Sequence, residues 1–511
     1  MLIEEAFACL GLALVLSVGL FALHQRDRVT PDEGYVWYGV LRLLEGELPH
    51  RDFKSYEPGR YFWYGIWAAA FGRGLGVFRF ATHAFYFLAL STALTSLRAL
   101  GLDWIEVLLS GLILASWAHP AYKLFEPSLW FMGFAATVWL VLNPAPLPAF
   151  VVGVVAGGAL LVGFNFFLYL GAALLVLWVV PLPWDLGDLF SWTALGVLSG
   201  MIPFLAYCCI PEVAGAFFER RVRSIVARGA TNLPLPIPWP WREPPLGAGP
   251  SRARQITLQL LFLSLPLLPA LALVWLAIDP AASSAPTRPG LIAAAALGIV
   301  GWHPAFSRAD ASHLAQSMAP VVLLVCCFSA LLPGSTLVLM GLAAGSWATM
   351  LPLTYFFQQR QSPGSFQSMR IGSHDVWALR WEASLAEKVS ELCREERAGE
   401  CGLLALPMLV SLYPILGLKC PVYDSYCVFP ASESVQQGMI ATIKAADVRI
   451  AVIFDFALDR REDLRFSATH PLVMSYLARE MERLENHGLS SDFQLFRAKT
   501  AAPLPPARVG V

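Results

Sequence analysis

Apolar residues in this chain come in long unbroken runs, and polar residues fill the gaps. The first run, EAFACLGLALVLSVGLFAL, covers residues 5–23. Others follow at roughly 77–98, 103–118, 128–143, 148–163, 166–182, 190–210, 255–278, 290–303, 314–332 and 336–356. A bilayer-spanning helix needs about 17–25 mostly apolar residues. The runs therefore predict about eleven transmembrane helices, several of them short. The first run lacks a basic start and a small-residue cleavage site, so it reads as a retained helix and not a cleaved signal peptide. RYFWYGIWAAAFG, residues 60–72, is shorter, aromatic and amphipathic. It suits an interfacial or re-entrant helix better than a full span.

The pattern changes near residue 358. HDVWALRWEASLAEKVSELCREER has helical periodicity, CGLLALP reads as a short buried strand, and PMLVSLYPIL as a helix after it. PVYDSYCVF, VRIAVIFDF and DFQLFRAK read as strands, and HPLVMSYLAREMERLENHG as an amphipathic helix ended by Gly488. This alternation predicts a small soluble α/β domain. The expected division is a transmembrane domain over 1–357 with a first loop at 24–76, an α/β domain over 358–500, and a disordered tail over 501–511.

Composition agrees with the runs. The 511 residues are 57% hydrophobic and only 14% charged, against about 25% charge in soluble proteins. A net charge of −1 gives no electrostatic case for nucleic acid. Charge concentrates near 28–65, 211–254 and 303–313, and after 358. An odd number of spans places 24–76, 119–127, 211–254, 304–313 and the C-terminal domain on one side of the membrane. The arginines in those loops would, by the positive-inside rule, make that side cytosolic. Five of the nine cysteines lie in spans as small apolar fillers. Cys393, Cys401, Cys420 and Cys427 lie in the polar domain, where two disulfides and four free thiols are both open.

Four polar constellations hold the candidate chemistry. Asp32 and Glu33 are adjacent carboxylates just after the first helix. They suit a general base, a metal site or a helix cap, and Thr30-Pro31-Asp32-Glu33 has the form of a helix start. RDFKSYEPGRYFWY carries Arg51, Lys54 and Arg60, with Tyr56 and Glu57 between them; phosphate groups need such donors, and lipid-interface snorkelling is the plainer use. HPAFSRADASHLAQ holds His303, Arg308, Asp310 and His313, whose spacing matches no strong metal-ligand pattern. HPAYKLFEPS holds His119, Lys123 and Glu126. Span interiors contain few ionisable groups, Asn165 and Arg79 being among the polar exceptions. That scarcity argues against a pump or coupled transporter and favours a reaction at the membrane surface.

The order of these features resembles the bacterial integral-membrane glycosyltransferases of the GT-C fold: one helix, a loop with DEG, then RDF and YEPGRYFW, then AFGRGLGVFRFATHAFYFLAL. Relatives include the aminoarabinose transferase of lipid A modification and the protein O-mannosyltransferases. The resemblance implies an α-helical polytopic GT-C-like body with a C-terminal α/β domain. It also implies a polyprenyl-phosphate-linked sugar as donor, an envelope glycan, lipid or protein as acceptor, and an extracytoplasmic reaction at a bacterial inner membrane. That orientation opposes the charge count. Asp32 becomes the candidate base for an inverting direct displacement, with Glu33 beside it. Lys54, Tyr56, Glu57, Arg60, Arg308, Asp310 and His313 become candidate phosphate- or substrate-binding residues. No cofactor is expected, although some GT-C enzymes hold a divalent metal. YEPGRY departs from the HPP-type turn of better-known relatives. Two other readings remain open: a lipid-linked-sugar flippase and an inactive envelope scaffold.

Overall fold

The computed structural model describes residues 3–179, 186–229, 231–242, 252–279, 285–400, 402–485 and 488–499. The tail expected to be disordered, 501–511, lies outside the described residues. Contacts divide the chain into two units. One comprises Met1–Asp27 and Tyr56–Ser362, the other Arg28–Ser55 and Pro363–Val511. The loop over 24–76, read from sequence as part of the transmembrane body, is thus split between them.

Every predicted span is a helix. In chain order the helices are α1 (Ile3–His24), α2 (Pro31–Leu44, in the other unit), α3 (Pro58–Phe71), α4 (Leu75–Ala99), α5 (Trp104–Ser116) and α6 (Phe125–Leu142). Then come α7 (Pro146–Val162), α8 (Phe164–Val179), α9 (Leu186–Cys208), α10 (Arg252–Ile278), α11 (Arg288–Gly301), α12 (Ala311–Ser329) and α13 (Ser335–Met350). Among the described residues, eight stretches are long and apolar enough to cross a bilayer, while α5, α7 and α8 are apolar but shorter. The chain is an integral membrane protein. The core runs through α4, α6, α11 and α12, with Tyr86, Trp130, Phe134, Leu297 and Leu323 fully enclosed. By contrast α1, α10 and α13 bury few of their side chains and leave the rest partly or fully exposed, as lipid-facing helices do. Helix α3 is 14 residues long, about 21 Å at 1.5 Å per residue. That is too short to span, as its sequence predicts.

Helices α7 and α9 meet backbone to backbone. A Cβ on Gly157 would lie 2.1 Å from the Val197 carbonyl oxygen, and one on Gly196 2.1 Å from that of Phe150. Gly153 and Gly157 on one helix, and Gly196 and Gly200 on the other, repeat at four-residue spacing. This is the small-residue stripe that lets membrane helices approach closely.

The second unit is built on a four-stranded sheet of β3 (Leu403–Leu406), β4 (Ile450–Phe454), β5 (Met481–Leu484) and β6 (Phe493–Ala498), in the order β3–β4–β6–β5. β3 and β4 are parallel and the other pairings antiparallel. A separate hairpin joins β1 (Phe366–Ile371) to β2 (His374–Leu379). Helices α14 (Arg380–Glu395), α15 (Glu433–Ala445) and α16 (Pro471–Glu480) complete the α/β unit.

Four local expectations change. HDVWAL pairs as a strand before α14 begins; buried Val376 and Ala378 alternate with more exposed neighbours. The helix expected to reach Gly488 stops at Glu480, because 481–484 pairs with β6. PVYDSYCVF is not a strand. Its backbone is used elsewhere: the Tyr423 carbonyl accepts from the Lys54 amide at 3.0 Å. PMLVSLYPIL contains only a short helix, Leu412–Leu416. Cys393, Cys420 and Cys427 are unbridged, and Cys401 lies outside the described residues.

Segment 28–55 joins this unit through specific contacts. The Cys420 amide donates to the Tyr38 hydroxyl at 2.6 Å, and Arg28 pairs with Glu382. A Cβ on Gly34 would lie 2.7 Å from that of Ser411. The glycine of the DEG stretch is what lets α2 sit so close.

Candidate active site

In the membrane unit, links far apart in sequence converge on one polar cavity of about 130 Å³. It is reached from the start of α3, the turn before α6, the α7–α8 turn, the segment around 221–232, and the ends of the 304–316 link. The lining includes Tyr56, Glu57, Arg60 and His313 from the expected site.

Arg60 is buried in the first turn of α3. Its Nε donates to the Val162 carbonyl at 2.7 Å, satisfying an oxygen that the end of α7 leaves without a helical partner. Its Nη1 pairs with Glu126 Oε1 at 3.0 Å. The rings of Tyr56 and Phe125 flank the guanidinium at 5.1 and 5.4 Å from their centroids. Burial alone would lower its pKa, but Glu126 and Glu57 raise it, so the group stays charged. Glu57, in the N-cap position of α3, takes Arg221 Nη2 at 3.0 Å. Two buried carboxylates thus neutralise two arginines, as buried charge requires.

The 304–313 link is also tied. Asp310 caps α12, accepting from the His313 amide at 2.9 Å and contacting its Nδ1 at 2.8 Å. Arg308 Nε donates to the same carboxylate at 2.9 Å, and its Nη1 to the Leu233 carbonyl at 3.1 Å. Burial would raise the Asp310 carboxyl, but His313 and then Arg308 hold it well below the usual carboxylate range. His313 keeps its ring on the cavity wall, oriented through Nδ1. His119, in the turn before α6, is lowered to about 4 by burial and is neutral.

The other candidates lie in the second unit. Thr30 is the N-cap of α2, with Pro31 in the first turn, and its hydroxyl accepts from the Glu33 amide at 3.2 Å. The cap predicted from TPDE is formed. Glu33 is buried and Asp32 half-buried. The Tyr426 hydroxyl donates to Asp32 Oδ2 at 3.3 Å, and the Tyr426 ring lies 5.3 Å from that of Tyr35. Lys54 pairs with Asp424 at 2.6 Å. Loop 420–429 therefore supplies partners to both.

Sequence reading did not select several of these residues for the site, although it noted Glu126 and Asn165. Glu126 and Arg221 neutralise the buried pairs, and Asn165 lines the cavity. Asn165 was placed inside a span. It sits in the first turn of α8, just after the non-helical Gly163 that separates α8 from α7. Among the described residues, no three His, Cys, Asp or Glu side chains group so as to hold a metal ion.

No protein-family model matches the chain, and no curated protein matches it. Solved structures do. A crystal structure of ArnT from Cupriavidus metallidurans bound to undecaprenyl phosphate is 14% identical, with a TM-score of 0.54, and the match covers 99% of this chain and 100% of that one. The apo structure of the same protein is 14% identical, with a TM-score of 0.56 and coverage of 96% and 97%. Both matches cover nearly the full chain, and this chain has the GT-C fold.

Proposed function

We propose that this chain is a membrane glycosyltransferase that moves a sugar from a polyprenyl-phosphate donor to an acceptor of the cell envelope. One observation carries the reading. In a GT-C fold, separate polar links of the membrane unit converge on a cavity that holds several cations in an otherwise apolar helix bundle. The ArnT structure with undecaprenyl phosphate supports the choice of carrier.

In this reading Asp32 is the general base. It takes the proton of an acceptor hydroxyl or amine as that group attacks the anomeric carbon. The bond from that carbon to the phosphate oxygen breaks, and the electron pair leaves with the carrier phosphate. A phosphate is a good leaving group at neutral pH and needs no proton from the enzyme; it needs positive charge nearby. A single displacement inverts the anomeric centre. Glu33 and the Thr30 cap hold the first turn of α2, and with it Asp32, in place. The reaction is proposed to need no metal and to occur on the extracytoplasmic side of a bacterial inner membrane.

The test is transfer of a labelled sugar from a polyprenyl-phosphate donor by the purified full chain. Asp32→Asn is expected to lower transfer by at least a thousandfold while expression and melting temperature hold. Transfer by Asp32→Asn at the parent rate excludes this reading. A chelator should leave the parent rate intact. A reporter fused after residue 358 should be active only outside the cytosol, and cytosolic activity would overturn the orientation.

A further inference from the structure

The cations expected to meet the donor phosphate are largely committed elsewhere. Arg60 is held by Glu126 and by a helix-end carbonyl. Arg308 is held by Asp310 and the Leu233 carbonyl. Lys54 is held by Asp424. Arg221, which sequence reading did not select, is held by Glu57. Each of these side chains spends charge on the fold.

Lys123 differs. It closes the short turn Ala121–Lys123 before α6 and lines the cavity with Arg60, Arg221 and His313. Among the described residues it has no ion-pair partner; its Nζ lies only over the neighbouring Tyr122 ring, 5.8 Å from the centroid. The cavity wall carries three cations, Arg60, Lys123 and Arg221, against two carboxylates, Glu57 and Glu126. One positive charge is left over, and Lys123 carries it. The amide of Asn165 lines the same space and adds a neutral donor.

We infer that Lys123 is the residue that binds the phosphoryl oxygens of the polyprenyl-phosphate carrier, and that Arg60 and Arg221 shape the cavity without being the anion's principal counter-charge. An ammonium on a flexible stem can follow a phosphate oxygen as the anomeric bond lengthens, whereas a guanidinium already bonded at Nε and Nη1 cannot. One surplus charge matches the single negative charge of a phosphodiester donor. The inference rests on the glycosyl-transfer reading for the identity of the carrier, and on the cavity's charge balance for the residue.

Equilibrium binding to the purified full chain in detergent tests it, with undecaprenyl phosphate, undecaprenol and inorganic phosphate as separate probes. Lys123→Met is expected to weaken undecaprenyl phosphate binding about ten- to hundredfold and to leave undecaprenol binding unchanged. Lys123→Arg should stay within about threefold of the parent. Lys123→Gln is a second neutral variant, and the melting temperatures of all three show whether the turn before α6 is intact. If Lys123→Met and Lys123→Gln, both folded, bind undecaprenyl phosphate as tightly as the parent, the inference is overturned, while the transferase reading stands as long as Asp32→Asn is inactive. If inorganic phosphate binds as tightly as the lipid and with the same dependence on Lys123, the anion site is supported and its lipid occupant is overturned. If the parent binds no lipid phosphate and transfers no sugar, the functional reading fails and takes the inference with it.

Discussion

The cavity of the membrane unit and the neighbourhood of Asp32 in the second unit both gather charge, but they hold it differently. In the cavity, Arg60 and Glu126 are 7% and 10% exposed and bound to each other. Near Asp32, the charged pair is Lys54 with Asp424, at 32% and 26%. Asp32 itself takes a hydroxyl from Tyr426. A buried ion gains from its partner and loses heavily without it, whereas a half-exposed one is already served by water. The two arginines of the cavity therefore belong to its framework. The cavity's half-buried Lys123 and the half-buried Asp32 of the second unit are held less tightly than these arginines.

The contrast is broken most severely at Arg60. Arg60→Met should leave Glu126 charged and enclosed, costing about 3–5 kcal/mol and showing as a large fall in melting temperature. The double variant Arg60→Met with Glu126→Met should recover most of the loss. Equal melting temperatures for Arg60→Met and the parent would mean that the pair is not what holds the cavity.

A second test uses His470, which is 2% exposed and stacked on Phe466 with ring centroids 4.6 Å apart. Burial pushes it to about 4, with Asp424 opposing and Lys54 assisting. Between its usual 6.5 and about 4, the unfolded chain binds a proton that the folded chain refuses, so stability falls as pH falls. The effect should be on the order of 3 kcal/mol over that window. His470→Gln should flatten that part of the pH dependence of the melting temperature; an unchanged slope would contradict the assignment.

Smaller effects sharpen the picture. Tyr426→Phe should lower kcat about three- to tenfold with KM unchanged, because it removes a long hydrogen bond to the proposed base, Asp32, and no substrate contact. A change in KM alone would place Tyr426 on the substrate instead. Lys54→Met should shift stability by less than about 1 kcal/mol and carrier binding by less than about threefold. A loss as large as that of Lys123→Met would return Lys54 to the phosphate site.

Long-range pairing explains what sequence showed and what it hid. The spans were legible because each apolar run is its own evidence, and the TPDE cap because its partners are three residues apart. Period-two alternation was present in HDVWAL, but the helical pattern beyond it masked the boundary. MERLENHG has a local helical pattern that pairing with 493–498 overrides. Assignment of 28–55 to the C-terminal unit rests on contacts such as Tyr38 with Cys420, about which neighbouring residues say nothing. The same holds at the site. Arg60 stood out as a cation in sequence, but only its neighbours, Glu126 and the Val162 carbonyl, reveal that it is already occupied. Lys123 stood in the sequence beside Glu126 and gained meaning once the other cations were paired.

The most direct measurement is mass spectrometry of envelope lipids and glycans from a deletion strain carrying either the parent gene or Asp32→Asn. The prediction is that one sugar-sized mass increment vanishes on deletion, returns with the parent, and stays absent with Asp32→Asn while polyprenyl-phosphate sugar accumulates. Spectra in which Asp32→Asn restores the increment as fully as the parent would contradict a glycosyltransferase with Asp32 as its base.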